Sequence, residues 1–309
     1  MIPTNSVEWL LSGDVTIQYQ VYRDLLHTPR PELQQRIPQE GWGARLLSLR
    51  NADGHWGAGF YSPKWISSHY TLLELRYLEL PQDSPAPKAT IDLILAHDKG
   101  QDGGVNPSGY VKDSDVCING MFLNYASYFN ASEDALHSIV DFILQQQLHD
   151  GGFNCQYNRK GAVHSSLHST LSLLEGIREY AKNGYTYRID ELCTAEKEAQ
   201  EFILLHKLFR SHRTGDVIDK KMLMLSYPSR WRYDILRALD YFRYADAKYD
   251  PRMQDALDIL VAKRRADMTW PLQAKHPGLV HFDMENAGQP SRWNTLRALR
   301  VLQHFNVTD

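Results

Sequence analysis

The feature that most limits how this chain can fold is a turn that occurs three times at nearly equal intervals. Asn51-Ala52-Asp53-Gly54-His55-Trp56-Gly57, Gln101-Asp102-Gly103-Gly104-Val105-Asn106 and His149-Asp150-Gly151-Gly152-Phe153-Asn154 share an Asp-Gly core, and each follows an apolar run of helical period. Gly54 and Gly103 lie 49 residues apart, and Gly103 and Gly151 lie 48 apart. A period of that length marks repeated supersecondary units, which bury their apolar faces by packing against neighbouring copies.

Between turns the pattern is helical. Ser6 to Leu11 reads as a short helix ended near Gly13, and Asp14 caps a second that runs through Gln18, Val21, Tyr22 and Leu25-Leu26. A further outer-type helix spans about 41–50. Ser67-Ser68 then opens a more apolar helix with Tyr70, Leu73, Tyr77 and Leu80 at helical spacing. The same alternation predicts outer helices near 133–147, 190–210 and 250–264, and inner helices near 114–129, 163–181, 226–245 and 291–305. Later turns drift to Arg213-Thr214-Gly215 and Ala266-Asp267-Met268-Thr269-Trp270, but a second repeat replaces them. Pro228-Ser229-Arg230-Trp231 leads to Leu236-Arg237-Ala238-Leu239, and Pro290-Ser291-Arg292-Trp293 leads to Leu296-Arg297-Ala298-Leu299. The expectation is an all-α fold forming one domain over 1–309, a single α/α toroid of six inner and six outer helices, in which ring closure removes the exposed ends of a repeat array.

Composition narrows the function classes. With 43% hydrophobic and 23% charged residues, and no apolar run near the ~18 residues of a membrane span, the sequence reads as soluble. The segment Met1 to Ser6 has no basic stretch before an apolar core, so the cytoplasm is the expected location. Three cysteines, Cys117, Cys155 and Cys193, do not make a disulfide framework. A formal charge of −3 offers no general attraction to nucleic acid.

Helical hairpins punctuated by Asp-Gly-Gly-Phe and Asp-Gly-His-Trp turns resemble the α/α toroids of squalene and terpenoid cyclases and of protein prenyltransferase β subunits. The resemblance implies that the segments opening the inner helices gather at one mouth of the ring. Asp115-Val116-Cys117 with His164 is similar to the prenyltransferase zinc set, an Asp-x-Cys at one inner-helix start and a His at the next. It implies zinc on Asp115, Cys117 and His164, with His168 one turn further on as a substitute ligand and Cys155 as another thiolate. Carboxylate, thiolate and imidazole suit zinc, and three protein ligands leave a position open for water or substrate. Both side chains of Asp115-x-Cys117 converge only if Asp115 is the helix N-cap. Lys112 matches a lysine that contacts isoprenoid diphosphate in that family, whereas Gly109 replaces the arginine expected there. The resembling prenyltransferases also need a partner α subunit, which this sequence does not contain.

A second resemblance falls on the same residues. Asp113-Ser114-Asp115-Val116 is similar to the Asp-x-Asp-Asp acid of class II terpenoid cyclases, with Val116 in place of the third acid, and makes Asp113 and Asp115 candidate proton donors. His69 is a further acid, base or anion contact. Lys64-Trp65, Arg230-Trp231-Arg232-Tyr233 and Arg292-Trp293-Asn294 sit at or before inner-helix starts, where a cation gains nothing from the helix dipole. They suit an anionic, partly apolar small molecule, isoprenoid-like or other. Three readings stay open: a prenyltransferase-like or cyclase-like enzyme with a zinc or acid site, a non-catalytic toroid that binds a ligand or protein, and a carbohydrate-acting α/α barrel using Asp113 or Asp115 as general acid.

Overall fold

The computed structural model describes residues 4–108 and 111–307, so Gly109 lies outside the described residues. In chain order the helices are α1 (Thr4–Leu11), α2 (Val15–Asp24), α3 (Pro31–Arg36), α4 (Gly41–Ser48), α5 (Ser68–Tyr77), α6 (Pro85–His97) and α7 (Val116–Tyr128). They continue with α8 (Glu133–Gln145), α9 (Tyr157–Lys160), α10 (Leu167–Lys182), α11 (Ile189–Leu205), α12 (Ile235–Tyr244), α13 (Gln254–Ala262) and α14 (Arg292–His304). A single pair of two-residue strands, β1 (Trp270–Pro271) and β2 (Pro290–Ser291), is the only sheet among the described residues. The chain divides into two compact units. The first comprises Met1–Ser48, Leu78–Pro81 and Leu204–Asp309, and the second Leu49–Tyr77 and Gln82–Ile203.

In the second unit the repeated turn explains itself. Gly54, Gly103 and Gly151 lie at φ 87°, 90° and 86°, a left-handed backbone that costs glycine no Cβ clash. The preceding aspartate accepts a backbone N–H two residues on, Asp53 from His55 at 2.9 Å and Asp102 from Gly104 at 3.2 Å. Two residues past the glycine the chain turns into the core, where Trp56, Val105 and Phe153 are fully buried. Their N–H groups would be costly orphans there. Each is accepted by a side chain of the next inner helix: Ser68 Oγ at 3.0 Å, Asn119 Oδ1 at 2.7 Å and Thr170 Oγ1 at 3.0 Å.

The inner and outer characters read from sequence are visible as burial. Nearly every residue of α7 is buried around its whole circumference, whereas α8 buries only Leu136, Ile139, Val140, Phe142 and Ile143 on one stripe. Helices α7 and α10 approach so closely that a Cβ on Gly176 would lie 2.2 Å from the Gly120 carbonyl oxygen. Beside them a buried ion pair joins Arg76 of α5 to Glu179 of α10.

The first unit is built on α2, α12 and α14, with α1, α3, α4 and α13 packed against them. Asp14 caps α2 as expected, accepting from Thr16 N at 3.0 Å. The drifted turn at 266–270 keeps the geometry with different residues. Met268 stands at φ 64°, Asp267 accepts from Thr269 N at 3.1 Å, and the buried Trp270 gives its N–H to Thr295 Oγ1 at 2.9 Å. At the centre Arg300 binds Asp24 at 2.8 Å and is paired with Asp240, which also meets Arg243 at 3.1 Å. Asp240 and Arg300 are matching positions of the two Leu-Arg-Ala-Leu copies, so the repeat brings opposite charges together.

Several boundaries differ from expectation. The helix expected over 226–245 starts only at Ile235, because Arg230 takes φ 58° and leaves the preceding residues as a loop. The one expected over 190–210 ends at Leu205, ahead of Lys207 and Leu208 at φ 42° and 67°. Helix α6 is the apolar run of helical period read ahead of the Gly103 turn, for which the sequence reading gives no bounds. Its Pro85 and Pro87 look like breakers, but Pro85 occupies the first helical turn, where the missing N–H costs nothing.

Candidate active-site cleft

The second unit contains a cleft of about 880 Å³ formed by the segment after the first turn, the C-terminal end of α6 and the approach to α7. Four carboxylates line it: Asp53, Asp98, Asp113 and Asp115. His55, His97, Tyr61 and Lys64 join them.

Local hydrogen bonds place these groups. Asp102 of the second turn accepts from Ser114 N at 2.6 Å and Ser114 Oγ at 2.7 Å. Burying Ser114 in this way holds Asp113 and Asp115 on either side of it at the cleft wall. Asp115 is the N-cap residue of α7, as expected, but its carboxylate accepts no capping hydrogen bond from that helix and lines the cleft instead. Its carbonyl takes Asn119 Nδ2 at 3.0 Å. Asp98 ends α6, and its own carbonyl accepts Asn106 N at 2.7 Å, which ties the two sides of that loop together. Burial pushes the pKa of the Asp98 carboxyl up, opposed by His55 and His97. The His55 ring is oriented by Ser68 Oγ at 3.0 Å from Nδ1. Tyr61 meets the Tyr70 hydroxyl at 2.9 Å, and the Lys64 ammonium sits 4.9 Å from the centre of the Trp65 ring.

His69 lies behind this wall. It is fully buried, its Nδ1 meets the Tyr125 hydroxyl at 3.1 Å, and its ring packs edge-on to Phe60 and Tyr70. Burial, and then the Lys64 charge, depress its pKa to about 3, so it is neutral at ordinary pH. That state suits it to packing and hydrogen bonding in preference to proton exchange.

The residues expected to hold zinc are distributed differently from the expectation. The Cys117 thiol hydrogen-bonds to Cys155. His164 is exposed, 6.2 Å from His149 ring to ring, and His168 is half-buried in the first turn of α10. Among the described residues no three His, Cys, Asp or Glu side chains are arranged to hold a metal ion. The Cys155 thiol is brought down to about 6, first by the Cys117 hydrogen bond and against the effect of burial, while Cys117 is pushed well up. Lys112 is exposed.

The remaining candidates belong to the first unit. Tyr233 is buried with its hydroxyl near 2.5 Å from the Leu208 carbonyl. Trp293 is stacked between Tyr227 at 4.5 Å and Trp42 at 5.9 Å, and Asn294 donates to the carbonyls of Pro271 at 3.0 Å and Leu225 at 3.3 Å. Arg292 reaches Trp9 O and Ser12 Oγ, both at 3.2 Å. Within that unit these four act as packing and pinning groups. Arg230, Trp231 and Arg232 stay in the loop before α12.

Sequence reasoning missed Asp98, His97, His55 and Tyr61 as cleft residues. His55 was in view as part of a turn, and Asp98 stands five residues before Gly103. Neither position by itself says which way a side chain faces.

No family model and no curated protein sequence matches the chain. Among solved structures, it is similar to a glycosyl hydrolase family 88 protein from Bacteroides vulgatus, with TM-score 0.53 and 10% identity over 97% of this chain and 90% of that one. The likeness shows the fold. It supports the all-α, α/α-toroid class expected from the repeats, and it does not extend to terpenoid cyclases or prenyltransferases. Among the described residues no helix is long and apolar enough to cross a membrane.

Proposed function

We propose that this chain is a carbohydrate-acting enzyme that cleaves a glycosidic bond in the cleft of the second unit. The observation that carries the reading is the convergence of Asp53, Asp98, Asp113 and Asp115 on one cavity of about 880 Å³, with burial raising the pKa of Asp98. Glycoside hydrolysis needs two carboxyl groups in opposite protonation states, one to protonate the leaving oxygen and one to activate water or attack the sugar carbon. Asp98 takes the first role, because burial keeps its proton to higher pH. Asp115, beside Asp113 on the cleft wall, takes the second. Tyr61 and Phe60 supply the flat apolar surface that the C–H face of a sugar ring packs against, and His55 and Lys64 supply donors to hydroxyl or acidic groups. The fold shared with a glycosyl hydrolase family 88 protein supports the same class. Of the three readings open from sequence, this one gains from both cleft and fold.

The test is release of reducing sugar from a panel of oligosaccharides and aryl glycosides with neutral and acidic sugars. Cleavage by the wild-type chain that falls about a hundredfold or more in Asp98→Asn and Asp115→Asn is the expected outcome. Turnover left intact in both variants, or no cleavage of any panel member, overturns the reading.

A further inference from the structure

Of the three cysteines, two come together from successive repeats. Cys117 stands in the first turn of α7, two residues after Asp115, and Cys155 lies just past the third Asp-Gly turn. Helix packing dictates their meeting. A Cβ on Gly120 of α7 would lie 2.8 Å from Ser172 O and 2.9 Å from Leu173 Cα, and one turn further on Asn124 Nδ2 donates to Glu175 O at 3.0 Å, so α7 and α10 run side by side in the same direction. One turn back from Gly120 is Cys117, and one turn back from Ser172 is Ser169. Cys155 is fastened to that same Ser169, giving its backbone N–H to Oγ at 3.1 Å. The segment that carries it is fixed on either side, Phe153 N donating to Thr170 Oγ1 at 3.0 Å and Gln156 N to Asn154 Oδ1 at 2.9 Å. The thiol–thiol hydrogen bond is the result, with Cys117 as donor and Cys155 as acceptor.

Donors surround the Cys155 sulfur. Besides the Cys117 thiol, Ser169 Oγ hydrogen-bonds to it and Gln156 Nε2 lies 3.9 Å away. The thiolate accepts such bonds best, and the thiolate is the nucleophile of sulfur chemistry. Cys155 is half-buried, which leaves it open to a small oxidant, while Cys117 stays a thiol because it is the donor of the pair and is packed between helices. Two sulfurs already in contact meet the proximity that a disulfide requires.

We propose that Cys155 and Cys117 form a reversible oxidation site, in which Cys155 reacts first with a peroxide and Cys117 then closes a disulfide onto it. The Cys155 thiolate attacks one oxygen of hydrogen peroxide, the O–O bond breaks, and the departing hydroxide takes a proton from solvent to leave as water; Cys155 is left as a sulfenic acid. The Cys117 sulfur then attacks the Cys155 sulfur, the S–O bond breaks, and the hydroxyl leaves as a second water with the Cys117 proton. Over both steps the two thiols lose two hydrogens and two electrons, and the peroxide is reduced to two waters. Asp115 is the N-cap of the helix whose first turn holds Cys117, so the bond ties that end of the cleft wall to the segment after the third turn. The inference is independent of the carbohydrate reading of the cleft.

Treatment of the full chain with hydrogen peroxide, followed by alkylation, intact mass and peptide mapping, tests it. The chain should lose two hydrogens, with Cys117 and Cys155 joined and Cys193 of α11 still open to alkylation, and dithiothreitol should restore both thiols. Cys117→Ala should stop at the sulfenic acid, so that trapping of Cys155 by dimedone rises roughly tenfold or more over wild type, whereas Cys193→Ala should close the bridge as wild type does. The wild-type mass and map decide the matter even where Cys117→Ala folds poorly. Both thiols left intact at a peroxide concentration that oxidises glutathione in the same tube, a bridge to Cys193 or between chains instead, or dimedone trapping in Cys117→Ala no greater than in wild type, overturns the proposal.

Discussion

Replacing Gly176 by alanine sets two physical effects against each other. Intrinsic propensity favours the substitution, since alanine in a helix interior is better than glycine by about 1 kcal/mol. Packing opposes it. The new Cβ would lie 2.2 Å from the Gly120 carbonyl oxygen and 3.1 Å from its carbon, against the ~3.5 Å at which such atoms rest. The obstruction is backbone of a helix buried on every side, so no side-chain rotation relieves it, and α7 and α10 must part by about 1 Å along a well-packed face. Overpacking of that kind costs ~3 kcal/mol at the upper end of the usual range. The net is a destabilisation of about 2 kcal/mol, or a Tm lowered by roughly 3 °C for a chain of 309 residues. Gly120→Ala meets Ser172 O at 2.8 Å and should lose less. The double variant should lose less than the sum, because one separation relieves both contacts. Thermal unfolding followed by far-UV circular dichroism measures all three. A Tm for Gly176→Ala equal to or above wild type would refute the close-approach argument.

Three other outcomes are expected. Alkylation of Cys155 should titrate with a midpoint near 6, and Cys117→Ala, which removes the donor, should move that midpoint upward if the thiol–thiol hydrogen bond is its cause; mass-mapped iodoacetamide rates check this. Asp24 and Asp240 would be raised by burial alone, but Arg23 and Arg300 hold Asp24, and Arg300 and Arg243 hold Asp240, below the carboxylate range, so their stabilisation is complete above their unfolded pKa of about 3.9 and is lost as pH falls below it. Asp240→Asn should therefore lower the denaturant midpoint at neutral pH and narrow the gap to wild type in acid. His69 is depressed to about 3, so stability should fall as pH drops below its unfolded value near 6.5, and His69→Gln should flatten that slope in urea titrations between pH 6.5 and 4.

The fold was largely legible because its signal is local. An Asp that caps the second N–H after it, a left-handed glycine and a buried residue two positions on are all chemistry within six residues, and three copies made the period plain. Met268 was harder to read, since only tertiary contacts through Thr295 reveal the same turn without glycine. For the site, Asp113, Asp115 and Lys64 were found because they stand at inner-helix starts, and they do line the cleft. Asp98 and His55 were not, because their direction depends on Asn106 and Ser68 from other segments. The partner of Cys117 was also hidden. Asp150 fastens Ser165, and the adjacent His164 is exposed beside His149, while Cys155 reaches the thiol instead.

The interleaved course of the chain constrains how it emerges from the ribosome. Residues 49–77 and 82–203 are synthesised before most of the unit that flanks them, so the cleft-bearing unit has its whole complement of helices while Asp24 still lacks Arg300. Until translation reaches α14, α2 presents an apolar stripe and a carboxylate whose guanidinium from that helix has not yet been made. That interval closes when α14 is delivered and Arg300 meets Asp24.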